Sequence, residues 1–134
     1  MGSCAKTDAD KENEIIQSGV NDIKLGPQYN WVVVLPGPGC KGCIQEAEAF
    51  MRDYLDQQNI LFVLTKVQSL KILHQKIRNS ISGRKNVYID KDGYFDIPTN
   101  NSIYPIIVQI KDGKAIAHQF QSPSNGQAFE WLKA

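Results

Sequence analysis

Two near-continuous apolar runs stand out in the hydrophobic pattern of the chain. They are WVVVL at Trp31–Leu35 and ILFVLTKV at Ile60–Val67. Both runs are short and rich in β-branched residues, which predicts two buried central strands. Between them, apolar residues recur at helical spacing over about residues 41–57, which predicts an amphipathic helix. A strand–helix–strand unit of this length predicts parallel pairing of the two strands through a right-handed connection.

The later part of the chain adds a second helix, a third strand, a hairpin and a closing helix. An apolar stripe predicts the second helix at Ser69–Ile81, and Val87–Asp90 has the character of a short strand. Tyr104–Ile110 and Lys114–Phe120 flank an Asp-Gly pair, which is typical of a β-hairpin. Pro123-Ser124 predicts the start of the last helix. The expected class is therefore α/β, with a central mixed sheet of about four to five strands flanked by helices on both faces.

The start of the chain lacks a clear hydrophobic period. Residues 1–14 are polar and charged, which is typical of a disordered segment, and a short edge strand or loop fits around Val20–Leu25. We therefore expect a disordered or loosely structured N-terminal tether over residues 1–27 and a folded domain over residues 28–134.

Cys4, within this tether, has two interpretations. It is either an incidental free thiol or the acylated cysteine of a processed bacterial lipoprotein. Small residues precede Cys4 and a polar run follows it, which favours the second interpretation. A lipid on Cys4 would then hold the domain near a membrane without inserting it.

Cys40 and Cys43 carry the clearest chemical signal. A Pro-Gly-Pro-Gly run ends the first strand, and the two cysteines follow at the start of the predicted helix. A helix N-terminus has unsatisfied N–H groups and partial positive charge, and both favour the reactive thiolate. The residues alone leave open a redox-active pair, a fixed disulfide and half of a zinc site. Zinc usually needs four ligands, and we interpret His74 and His118 as surface or packing residues.

Length, composition and net charge limit the classes of protein to which the chain can belong. The chain has 134 residues, 42% hydrophobic and 22% charged, which fits a single folded domain. A net charge of +1 gives no nucleic-acid footprint, and no apolar run reaches the roughly 18–20 residues that span a bilayer. Asp90, Asp92 and Asp96 suggest calcium, but their spacing does not fit an EF-hand loop, so we predict a solvated turn. We expect a monomer without a metal or a cofactor.

With these elements in order, the chain resembles the thioredoxin superfamily over residues 28–134. The strongest part of the resemblance is Cys40-Lys41-Gly42-Cys43, placed between a hydrophobic strand and an amphipathic helix. The second part is Ile103-Tyr104-Pro105-Ile106-Ile107, followed by a strand and a Lys-Asp-Gly turn. The resemblance implies a thioredoxin-like fold, thiol–disulfide exchange with protein partners and no cofactor.

The same resemblance implies roles for four residues. Cys40, nearer the turn, would attack a disulfide of the partner, and Cys43, one helical turn further in, would resolve the mixed disulfide. Pro105 would be a cis-proline beside the cysteines. Tyr104, the residue before it, would help to hold the substrate chain.

The stretch Tyr88–Gly93 is closer to the bacterial cell-envelope branch of the superfamily than to a minimal thioredoxin. We therefore expect a location in the periplasm or cell envelope, which agrees with a lipoprotein. Three features depart from the family. Gly39 stands where an aromatic residue often precedes the first cysteine, and Lys-Gly replaces Gly-Pro between the cysteines. Many members of the family bury an acidic residue on the strand beneath the cysteines, but here Val32–Val34 occupy that strand.

Two other functions remain alternatives to an oxidoreductase. A redox-inactive, peptide-binding module would keep the fold and use the groove beside Tyr104. A thiol peroxidase is favoured by Pro36, four residues before Cys40, but the threonine that usually accompanies such a cysteine is missing.

Overall fold

A computed structural model describes residues 7–67, 71 and 84–133 of the chain. Its helices are α1 (Asp8–Asp22), α2 (Lys41–Tyr54) and α3 (Ala128–Lys133), with a 3₁₀ helix at Asn100–Ile103. Its strands are β1 (Trp31–Pro36), β2 (Ile60–Thr65), β3 (Val87–Asp90), β4 (Ile106–Lys111) and β5 (Lys114–Phe120). None of the helices in these ranges combines the length and apolar character needed to cross a bilayer.

The strands form one mixed sheet in the order β3-β2-β1-β4-β5. β1 and β2 are parallel, with Val33 opposite Phe62, and β3 is parallel to β2. β4 is antiparallel to both β1 and β5. The turn between β4 and β5 uses Asp112 and Gly113 at φ 54° and 77°, the positive values that a type I′ hairpin turn requires. The predicted α/β class, mixed sheet and hairpin are therefore confirmed, and the arrangement is consistent with a thioredoxin-like fold.

Two buried clusters form from alternate residues of the strands, because successive side chains point to opposite faces of a sheet. Val33 and Leu35 of β1 join apolar side chains from α2 and α3. Val32 and Val34 of the same strand join apolar side chains from α1. Burial along β1 and β2 is nearly continuous, as expected for central strands.

Helix α1 corrects the expectation of a loose tether. Its first turn is fixed by a capping box, in which Thr7 Oγ1 accepts from Asp10 N at 3.1 Å and Asp10 accepts from Thr7 N at 3.2 Å. Ile16 and Val20, one turn apart and each 1% exposed, pack into the second cluster. The prediction of disorder is therefore wrong for Asp8–Asp22. Residues 1–6, which include Cys4, lie outside the described residues.

The apolar stripe of α1 is too narrow to stand out in a polar sequence. Gly19 forms part of the stripe, and a Cβ on it would approach the ring of Phe95 to 2.9 Å. The absence of a side chain thus lets an aromatic ring pack directly on the helix. Because that partner is 76 positions away in the chain, local periodicity does not reveal it.

Of the second and the last predicted helices, the structure describes only the last nearly in full. Ser69–Ile81, apart from Lys71, lies outside the described residues, as does His74. The last helix begins at Ala128 instead of Pro123, because residues 122–125 form a tight turn. In that turn Asn125 N donates to Ser122 O at 2.9 Å.

The prediction of a solvated turn is wrong for Asp90, which is buried. It is 4% exposed, and its carboxylate accepts from Tyr94 N, Phe95 N and Thr65 Oγ1 at 2.9–3.0 Å. The carboxylate therefore closes the loop after β3 and ties it to the end of β2. Asp92 in the same loop is exposed, as predicted.

Candidate active site

The cysteine pair lies where β1 ends and α2 begins. Cys40 is the N-cap of α2 in an extended conformation, and Cys43 lies within the first turn. The two residues form a disulfide, with their Cα atoms 5.3 Å apart. A CxxC pair in this position is compatible with a redox function.

The two cysteines differ in exposure and in their hydrogen bonds. Cys43 is 6% exposed, whereas Cys40 is half-buried. The Cys43 amide N–H donates to Cys40 Sγ at 3.4 Å. This donor belongs to the N-terminal turn of the helix, where free N–H groups stabilise negative charge. Of the two cysteines, Cys40 is therefore the more exposed one, and its sulfur accepts a hydrogen bond from the start of the helix.

A second segment of chain supports the cysteine loop from the side. Cys40 N donates to Ile103 O at 3.0 Å, at the end of the 3₁₀ helix. Tyr104 and Pro105 follow Ile103 directly and lead into β4, which pairs with β1. Tyr104 is half-buried, Pro105 is buried, and Ile103 is 42% exposed. The fold thus brings the Tyr104–Pro105 segment to the same end of the sheet as the cysteines.

The peptide bond before Pro105 is trans, so the predicted cis-proline is wrong. Tyr104 has φ −110° and ψ 144°, the extended conformation that a residue before proline prefers. Trans is also favoured for X–Pro bonds by about 0.5–1 kcal/mol. Pro105 O accepts from Gln121 N at 3.0 Å, which fixes this segment against the end of β5.

Sequence reasoning missed a buried acidic residue, Glu12 of α1. Glu12 is 4% exposed, and its Oε2 accepts from Thr99 Oγ1 and Asn101 Nδ2, both at 2.7 Å. Its Oε1 lies 3.4 Å from Nε2 of His118 on β5. Thr99 and Asn101 belong to the segment that ends at Ile103, so α1 is tied to the strip of chain beside the cysteines. A single acidic residue in a polar stretch gives no sign of such burial.

The surroundings of Glu12 shift its pKa in opposing directions. Burial raises the pKa of Glu12, but hydrogen bonds from Thr99, Asn101 and His118, with the attraction of His118, together lower it by more. The net pKa of Glu12 is below its ordinary value. The folded state therefore holds this proton less tightly than the unfolded state does.

Because folding lowers the pKa of Glu12, we predict that the protein loses stability in acid. The contribution of ionised Glu12 is present above its unfolded pKa of about 4.3 and is lost as pH falls through the lower folded pKa. We expect Glu12→Gln to reduce the free energy of unfolding at pH 7 and to reduce it much less at pH 3, measured by urea unfolding. Glu14→Gln, at an exposed carboxylate on the same helix, is the control. An equal effect of Glu12→Gln at both pH values would contradict the prediction.

The structure also has a cleft that lies apart from the cysteines. An open cleft of about 400 Å³ lies between the segment before β1 and the turn after β4, with Leu25, Tyr29 and Lys111 among its lining residues. This is the opposite end of β1 from Cys40, so the cleft is not part of the candidate site. In the part of the chain that the structure describes, no group of three or more His, Cys, Asp or Glu residues has a metal-binding arrangement.

Comparison with known proteins gives no relative for the chain. No family model, no curated protein and no solved structure matches it. The fold and the geometry around the disulfide are therefore the features that indicate a function.

Proposed function

We propose that the protein is a thiol–disulfide oxidoreductase that exchanges its Cys40–Cys43 pair with protein partners. The observation that carries the proposal is the position of the disulfide at the start of α2. There, the sulfur of the more exposed cysteine, Cys40, receives a hydrogen bond from a helix amide. This arrangement supports a thiolate at Cys40 and a second thiol within reach to displace the partner.

In the reducing direction, the Cys40 thiolate attacks one sulfur of a partner's disulfide. A bond forms between Cys40 and the partner, the partner's own disulfide breaks, and the departing sulfur takes up a proton. The Cys43 thiolate then attacks the Cys40 sulfur, and the Cys40–Cys43 disulfide forms as the second partner thiol leaves. Two electrons pass to the partner, and an external dithiol restores the pair. The same steps in reverse would oxidise a partner dithiol.

The partner is expected to lie along the Tyr104–Pro105 segment. Ile103 is exposed beside the cysteine loop, and Tyr104 is half-exposed next to it. An extended partner chain across these residues would present its disulfide to Cys40. This role does not depend on a cis peptide bond before Pro105.

A location in the bacterial periplasm or cell envelope is part of the proposal, and so is a lipid tether at Cys4. Both are supported by the sequence: the polar run after Cys4 and the resemblance of Tyr88–Gly93 to the cell-envelope branch. Metabolic labelling with a radioactive fatty acid would test the tether. We expect label in the wild type and none in Cys4→Ser, and an unlabelled wild type would exclude this part of the proposal.

The reduction potential of the Cys40–Cys43 pair tests the central proposal. We expect a value between about −270 and −120 mV, the span of dithiol proteins that exchange electrons, measured by equilibration with glutathione or dithiothreitol buffers. A potential below about −300 mV is typical of structural disulfides and would favour the redox-inactive, peptide-binding alternative. Cys4→Ser keeps the pair intact and excludes a contribution from the third cysteine.

A further inference from the structure

A chain of hydrogen bonds links α1 to the backbone of Cys40. It starts at Glu12, whose Oε2 accepts from Thr99 Oγ1 and Asn101 Nδ2 at 2.7 Å. Burying a carboxylate costs free energy unless it is well bonded. A leucine at this position could pack beside Ile16 and Val20 in α1, but it could not hold the hydroxyl and amide of this segment.

The two residues that donate to Glu12 Oε2 also make the hydrogen bonds that hold the 3₁₀ helix. Thr99 is its N-cap, and Thr99 Oγ1 also accepts from Asn101 N at 3.2 Å. At the other end, Tyr104 N donates to Asn101 O at 3.0 Å. A helix of one turn is stable only when such contacts hold it, because its own hydrogen bonds are few. Glu12 therefore fixes a short segment that would otherwise have few constraints.

The end of this segment is what Cys40 contacts. Ile103 O accepts the Cys40 amide N–H at 3.0 Å, and this bond helps to hold Cys40 in its extended N-cap conformation. In that conformation Cys40 Sγ accepts from Cys43 N. The position of the reactive sulfur thus depends on the position of Ile103.

We propose that Glu12 is a positioning residue for Cys40, acting through the Thr99–Ile103 segment. Its consequence for catalysis rests on the proposed thiol–disulfide exchange, but its structural effect does not. Loss of the carboxylate lets the segment shift, which weakens the bond from Cys40 N to Ile103 O and misplaces the sulfur.

Backbone amide exchange tests this effect without any assay of activity. We expect Glu12→Leu, which removes every acceptor at this position, to speed hydrogen–deuterium exchange at the Cys40 amide by about tenfold more than at the Val33 amide, which reports global unfolding. We also expect kcat for insulin reduction to fall by about tenfold, with a smaller change in KM, because the reacting sulfur is misplaced. Ile16→Val, which loosens α1 without touching the partners of Glu12, should change both amides equally.

Glu12→Gln is the conservative variant. Its amide oxygen can take the place of Oε2 and accept from Thr99 Oγ1 and Asn101 Nδ2. We therefore expect Glu12→Gln to keep most of the protection at Cys40 that Glu12→Leu loses. Equal acceleration at Cys40 and Val33 in Glu12→Leu would overturn the inference. An inactive wild type whose Cys40 amide still responds to Glu12→Leu would instead refute the proposed function and leave the positioning role intact.

Discussion

Replacing Cys40 by serine should reduce dithiothreitol-driven reduction of insulin to the uncatalysed rate. Serine has nearly the same size as cysteine, so the variant keeps the N-cap of α2, since serine is a favoured N-cap residue. Its hydroxyl cannot attack a disulfide at neutral pH. We therefore expect a loss of about a hundredfold or more in the catalysed rate, with little change in the free energy of unfolding of the reduced protein.

The matched variant Cys43→Ser separates attack from resolution. Cys40 can still attack in this variant, but nothing displaces the partner from the mixed disulfide. We expect a covalent Cys40–partner adduct that accumulates and disappears on treatment with excess dithiothreitol, observed by non-reducing gel electrophoresis and mass spectrometry. Cys40→Ser should form no adduct, because Cys43 is only 6% exposed.

Three results would contradict this assignment of roles. Wild-type turnover in Cys40→Ser would show that the pair does not catalyse the reaction. An adduct on Cys43 in Cys40→Ser would show that the buried sulfur is the one that attacks. A partner that binds Cys40→Ser non-covalently as well as it binds the wild type, with no turnover in either, would favour the peptide-binding alternative.

Much of the fold follows from local patterns in the sequence. The central strands are recognisable because both of their faces are buried, which makes them continuous apolar runs. The hairpin is recognisable because Asp112 and Gly113 take up positive φ values that few other pairs accept. The location of the cysteine pair can be predicted from the sequence alone. A strand that ends at a Pro-Gly run and is followed by a helix places the next residues at the start of that helix.

The features that the sequence conceals depend on partners far along the chain. Helix α1 is stabilised by packing of Ile16 and Val20 on the sheet, and its apolar stripe is too narrow to be recognised alone. Glu12 is buried only because Thr99, Asn101 and His118 surround it, 87 to 106 positions away. The cis peptide bond expected from the family resemblance is a different kind of error, because a resemblance in sequence does not determine an isomer.

Gly39 is the position where a single methyl group should do the most damage to the site. Its φ is 144°, a value that favours glycine over every other residue. A Cβ there would also lie 2.8 Å from the Cα of Ile103 and 2.9 Å from its carbonyl carbon. Both are backbone atoms, so the clash cannot be relieved by rotating a side chain.

We expect Gly39→Ala to reduce the free energy of unfolding by about 2 kcal/mol or more, from backbone strain and overpacking combined. It should also reduce insulin reduction by about tenfold or more, because the clash pushes Ile103 away from the Cys40 amide. Urea unfolding of the reduced protein gives the first quantity, and the dithiothreitol-driven assay gives the second.

Gly42→Ala is the matched control, only three residues away in the same motif. Gly42 lies in the first turn of α2, and a Cβ on it would have no atom within 4 Å other than those of its chain neighbours and of the backbone of its own helix. Alanine is the better helix former, so this variant should be more stable by up to about 1 kcal/mol and fully active. Equal behaviour of the two alanine variants would mean that the close approach of Gly39 to Ile103 does not shape the site. A large loss in Gly39→Ala alone would show that the residue before the first cysteine must be glycine, because of its positive φ and the close approach of the Ile103 backbone.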